Sequence, residues 1–136
     1  MTRTNKTVDT IVMAEDHILF IRRAKEPFMD KLVLPGGHIE ETDQSPAHAA
    51  TRELLEEVGL QTKIEDLHFL ITLDSPGRDP RGSKVSQVFL LQLPSLDMLQ
   101  ACQAGSDAQE IVVREINSLN PEEVGFDHWL AVKLLQ

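Results

Sequence analysis

Apolar residues in this chain come in short runs separated by turn formers, and those runs predict its elements. Residues 8–13 (VDTIVM) and 18–22 (ILFIR) read as two short strands joined by the turn Ala14-Glu15-Asp16-His17. Leu32-Val33-Leu34 is a third apolar stub, stopped by Pro35-Gly36-Gly37, which reads as a turn. Ser45-Pro46 opens a helix, because serine is a good N-cap and proline suits the first helical position. Gly59 ends that helix at the position where a left-handed residue is usual. Leu67–Leu73 and residues 85–93 read as longer strands, with the turn-rich loop 74–82 between them. Residues 111–116 predict a last strand and 127–135 a closing helix. Strands interrupted by one internal and one terminal helix predict a mixed α/β domain.

The internal helix carries the chemistry. At about 100° per residue, Ala47, Ala50, Leu54 and Val58 form one stripe, which predicts the core face. Glu53, Glu56 and Glu57 share an adjoining arc, and Ala49 lies one turn earlier in that arc, leaving room above the carboxylates. Arg52 sits to one side, placed to hold one of them. Like charges at these spacings oppose an isolated helix by about 0.2–0.5 kcal/mol per pair. The dipole at the helix C-terminus adds to that. A solvated acidic face would account for three glutamates alone. Clustered carboxylates beside a Pro-Gly-Gly segment that brings bare backbone close are, however, what a hard divalent cation such as Mg²⁺ selects.

Charge and composition narrow the partners. The 136 residues fit one domain, 1–136, and a chain of this size can bury about two-thirds of its unfolded surface. Hydrophobic residues make up 41% and charged residues 26%, as in an ordinary globular protein. A net charge of −9 provides no basic footprint for a nucleic acid polymer. No apolar run approaches the ~20 residues of a membrane span, and the N-terminus lacks the apolar core of a secretory signal. Cys102 is the one cysteine, so a cytoplasmic location is expected.

Gly37 followed by Arg52-Glu53-Leu54-Leu55-Glu56-Glu57-Val58-Gly59-Leu60 resembles the Nudix box, G-x5-E-x7-R-E-U-x-E-E-x-G-U with U aliphatic, and LPGGHIE before it is also typical of that family. The resemblance implies a Nudix fold, a mixed β-sheet sandwiched between α-helices (α/β/α). It implies hydrolysis of a nucleoside diphosphate linked to another moiety. It also makes Glu53, Glu56 and Glu57 the Mg²⁺ ligands, with a carbonyl from Gly37 or Gly36 and with Arg52 orienting the carboxylates. Mn²⁺ would serve the same oxygen donors. One departure stands out. The segment is one residue longer than the pattern, and Asp43 or Gln44 falls where the box has its first Glu. The extra residue fits best in loop 38–43, letting Asp43 bulge into the missing role, with Glu40 or Glu41 as substitutes.

Loop 74–82 holds Arg78 and Arg81, whose guanidinium forks suit phosphate or ribose oxygens. Its sequence resembles the SDPGRDPRG segment of ADP-ribose pyrophosphatase-like Nudix proteins. Ala104-Gly105-Ser106-Asp107-Ala108 is similar to that group's AGDDA, and Phe126-Asp127-His128 to its terminal FDH. This closer resemblance implies cleavage of ADP-ribose to AMP and ribose 5-phosphate, with Asp107 and Glu110 as candidates for the water's base beside Glu56. A nucleoside triphosphate pyrophosphohydrolase is the alternative within the enzyme class. An ADP-ribose-binding sensor is the alternative outside it, opposed by the complete glutamate set and by the absence of residues after 136 for a DNA-binding domain. His128 reads as structural rather than catalytic, Arg22 and Arg23 at a strand end as solvated surface with a phosphate contact as the alternative, and Phe28, Phe69 or Phe89 as the available base-stacking rings. Proteins of this kind often form homodimers, though no interface is visible in the sequence.

Overall fold

The computed structural model describes residues 5–105 and 110–136. One mixed sheet organises them: β1 (Lys6–Ala14), β2 (His17–Arg22), β3 (Leu32–Val33), β4 (Gly36–His38), β5 (Leu67–Leu73), β6 (Val85–Gln92) and β7 (Glu110–Glu115). The main path runs β3-β2-β1-β6-β5, with β4 added to β1 and β7 to β2. Among the described strands only β1 and β6 pair in parallel, in register from Lys6↔Val85 to Met13↔Gln92. The helices are α1 (Pro46–Val58), α2 (Leu96–Gln100) and α3 (Trp129–Val132).

Strand alternation sends successive side chains to opposite faces, and both faces are covered. Val8 and Val12 of β1 and Leu19 and Ile21 of β2 pack with Ala49, Ala50, Leu54 and Val58 of α1 and with Leu99 of α2. Ile11, Ile18, Phe20 and Val88 point the other way and pack with Ala131 and Val132 of α3. The α/β/α arrangement expected of the sequence is therefore observed. Among the described residues no helix is long and apolar enough to cross a membrane.

Helix α1 starts and stops where its sequence says. The Ser45 Oγ accepts the His48 amide at 3.2 Å, and Gly59 takes the left-handed conformation (φ 71°) that a side chain would resist. Three details differ from expectation. Ala49 is fully buried in the core, so it leaves no open space above the glutamates. The closing helix is a single turn, Trp129–Val132, followed by a 3₁₀ turn through Leu135. Gly36 and Gly37 are not a turn but part of β4, paired antiparallel with β1 at Asp9↔Gly36 and Val8↔Gly37.

That pairing creates the site. One edge of β1 bonds β4 over Thr7–Asp9 and then β2 from Val12 onward, with the Thr10 amide donating to the Pro35 carbonyl at 3.0 Å between them. The two neighbours diverge, and a gap opens where the edge changes partner. Leu54 anchors α1 beneath this gap at 1% exposure. Leu54→Ala should cost about 2–5 kcal/mol through lost burial and the cavity left behind. Urea denaturation should show a lower midpoint with an unchanged slope.

Candidate active site

A cavity of about 600 Å³ occupies the gap, lined by β1, β4, α1, loop 74–82 and the segment before α3. One wall is acidic. Glu53, Glu56 and Glu57 all face the cavity, but they are held differently. Arg52 binds Glu53 Oε1 at 3.0 Å and Glu56 Oε2 at 3.4 Å through Nη1. Its Nη2 donates to the His38 carbonyl at 3.0 Å, which ties the helix to β4. Glu57 instead accepts the Gly36 amide at 3.1 Å.

Both glycines of β4 are needed at close quarters. A side chain on Gly36 would collide with the Val8 carbonyl and with Asp9, and one on Gly37 would lie 2.5 Å from Glu53 Oε1. The glutamate carboxylate therefore rests directly against bare backbone. Gly105, at the end of α1, also lines the cavity and approaches the helix as closely. Its amide caps the Glu57 carbonyl at 2.9 Å, and any Cβ would strike the Glu56 carbonyl.

Burial pushes the Glu57 carboxyl up to about 9, and its hydrogen bond to Glu53 and the Glu53 charge push the same way, against the Gly36 amide. Two carboxyls thus share a partly dry site with less positive charge than they need. Oxygen donors in that state suit a hard divalent cation. Among the described residues no three acidic, histidine or cysteine side chains already converge as a preformed cage.

Asp43, one of the two residues the sequence places at the open position, is the carboxylate that Arg52 grips. Arg52 Nε meets its Oδ1 at 3.1 Å and Nη2 meets its Oδ2 at 3.0 Å, while the Glu40 amide donates to Oδ2 at 2.8 Å. Glu40 is a weaker, more exposed partner at 3.5 Å. The bulged loop compensates for the shorter side chain by carrying the carboxylate to the guanidinium.

The opposite wall is basic. Arg78 and Arg81 line it together with Lys84 and Arg23. The Arg78 fork is fully engaged with Asp127, at 2.9 and 2.7 Å, and is nearly buried. Arg81 grips Asp79 through Nε and Nη2 at 3.0 and 2.8 Å while remaining half exposed. Lys84 Nζ meets His38 Nε2 at 2.9 Å. Arg23, read from sequence as surface, instead faces the cavity. Arg22 is the surface residue, paired with Glu110 at 2.9 Å. Glu110 is not among the lining residues, and Asp107 lies outside the described residues.

Sequence reasoning missed Asp9 and Phe126. Asp9 is buried at 8% exposure and accepts Ser86 Oγ–H at 2.5 Å. Its Oδ2 lies 3.4 Å from His128 Nε2, whose Nδ1 accepts the Leu34 amide at 3.1 Å. His128 is thus a structural bridge between α3 and the β3–β4 link. A charged residue inside the apolar run 8–13 was the available signal for Asp9. Phe126 is the ring that faces the cavity, with the Phe28 ring tilted against it at 4.6 Å between centroids. Phe89 is core, and Phe69 is exposed on β5 with its edge to Phe89.

Arg52 holds Asp43 below the usual carboxylate range through their hydrogen bond. The stability from this pair is present above the ordinary carboxylate pKa of about 4 and is lost as pH falls through the lower folded value. Asp43→Asn should cost about 1–3 kcal/mol at neutral pH, with a smaller deficit below pH 4. Denaturant titrations of both proteins across that pH range measure the difference.

A NUDIX domain model matches residues 3–135. The chain is 36% identical over 126 residues to an ADP-ribose pyrophosphatase of Methanocaldococcus jannaschii, covering 93% of this chain and 69% of that protein. It superimposes with a TM-score of 0.83, at 23% identity, on the NUDIX domain of Shewanella oneidensis NrtR complexed with ADP ribose, covering 99% of this chain and 88% of that one. A bifunctional NMN adenylyltransferase/ADP ribose pyrophosphatase of Francisella tularensis, complexed with AMP and Mn ion, matches with a TM-score of 0.80 at 29% identity. That match covers 99% of this chain and 42% of the larger one. Matched by the NUDIX domain model over residues 3–135 and by a 36% identical relative over most of both chains, this protein belongs to the Nudix family of pyrophosphohydrolases.

Proposed function

We propose that the protein hydrolyses the diphosphate linkage of ADP-ribose, giving AMP and ribose 5-phosphate, with Mg²⁺ or Mn²⁺ as cofactor. The observation that carries this reading is a single cavity with an acidic wall, Glu53, Glu56 and Glu57, facing a basic wall. A diphosphate needs both, since its charge must be met by cations on either side. The names of the Methanocaldococcus and Francisella relatives support ADP-ribose as the specific linkage.

Glu53, Glu56 and Glu57 would hold the cation, with backbone oxygen from Gly37 or Gly36 beside them. The cation supplies neutralisation of the diphosphate and activation of water. Arg52 is a positioning residue: it fixes Glu53 and Glu56 and is itself fixed by Asp43. Glu56, the most exposed of the three, is the base candidate that faces the cavity. Water attacks one phosphorus: its oxygen bonds that phosphorus as the bridging P–O bond breaks, one of its protons passes to the base, the other stays on the new phosphate hydroxyl, and the other phosphate departs with the bridging oxygen. Arg81 meets substrate oxygens, while Arg78 acts through Asp127 to hold the segment that carries Phe126.

Product analysis with ADP-ribose, nucleotide sugars and common nucleoside triphosphates in Mg²⁺ tests the proposal. AMP and ribose 5-phosphate are the expected products, and Glu57→Gln should lower kcat by about 10²–10³-fold. Turnover of triphosphates alone would replace the substrate assignment. Thermal stabilisation by ADP-ribose without turnover would make the protein a sensor.

A further inference from the structure

We propose that Arg23 and Arg81, both seated against the ring of Phe126, form a phosphate-binding pole that takes the substrate phosphate lying away from the glutamates. The proposal rests on the diphosphate reading above and names how the second phosphate is gripped. The guanidinium carbons of Arg23 and Arg81 lie 5.2 and 5.4 Å from the centroid of that one ring. The ring is fixed by Phe28 on its flank and by the backbone of Phe126 itself, which is left-handed at φ 52°. Two like charges therefore share one small, rigid platform inside the cavity.

Their partners are unequal. Arg52, Arg78 and Arg81 each have a carboxylate. Among the described residues Arg23 has none, and its bond is from Nε to the Pro27 carbonyl at 2.6 Å. The neighbouring carboxylates are occupied elsewhere. Glu26 accepts the Met29 amide at 3.1 Å, and Asp79 accepts three bonds from Arg81. The terminal nitrogens of Arg23 are left as a planar fork without a protein acceptor among the described residues. Burial, and then the charge of Arg81, pull the Arg23 guanidinium below its usual range. A phosphate oxyanion on the Arg23 fork and the remaining Nη1 of Arg81 relieves that repulsion and supplies the missing acceptors. Platform and charge together favour phosphate over a neutral sugar or base at this position.

Calorimetry with inorganic pyrophosphate in EDTA reads the pole without the cation. Wild type should bind, and Arg23→Gln should weaken binding about tenfold, the equivalent of one lost charge-assisted contact. Arg23→Lys should restore part of the loss, keeping the charge without the fork. Arg81→Gln, on an exposed side chain, is the second variant and should weaken binding in the same direction. With ADP-ribose, Arg23→Gln should raise KM far more than it lowers kcat. Failure of wild type to bind metal-free pyrophosphate, or equal binding by wild type, Arg23→Gln and Arg81→Gln, would overturn the proposal. Arg23-dependent pyrophosphate binding without ADP-ribose turnover would uphold the pole and overturn the substrate reading. ADP-ribose turnover with an unchanged KM in Arg23→Gln would do the reverse.

Discussion

The guanidinium of Arg52 is the constraint on which the site depends, because it reconciles charges that would otherwise repel. Its planar fork reaches the Glu53 and Glu56 carboxylates on its own helix, Asp43 in the preceding loop and the His38 carbonyl at the end of β4. Lysine could not replace it, since three elements are met at once by donors in fixed directions. The acidic face of α1, costly for the helix alone, becomes affordable only in that frame. Glu57 lies outside it and is met instead by the Gly36 amide, so β4 and the guanidinium divide the acidic cluster between them.

Much of this was legible from residue pattern. The caps of α1, its buried stripe and six of the seven strands follow from local signals that act within a few residues, such as Ser45-Pro46 and Gly59. Asp43 was also foreseeable, because an extra residue in a loop is cheap and a carboxylate must reach the arginine. Pairing partners were harder to read. Gly36 and Gly37 look like a turn until β1 lies beside them, and Ala49 looks open until the sheet covers it. Asp9 and Arg23 were obscure for the same reason: their exposure depends on where the edge of β1 changes partner, a long-range fact with no local signature.

The run Phe126-Asp127-His128 shows how a short segment can organise a wall. Phe126 is the platform for two guanidiniums, Asp127 closes the fork of Arg78, and His128 spans from the Leu34 amide toward Asp9. These bonds join loop 74–82, the end of β2 and the β3–β4 link, which are far apart in sequence. Specificity residues can therefore change on this side while the glutamate helix stays as it is.

The cavity lies in a gap of the sheet, so its two walls come from opposite layers. The glutamates belong to the layer of α1, while Asp9 and His128 belong to the layer of α3. A ligand that touches both acts as a rivet through the sheet. Its binding energy is added to the cohesion between layers, and a local loosening that binding must reverse weakens the ligand by that cost. At this position the ligand and the packing of the sheet support one another.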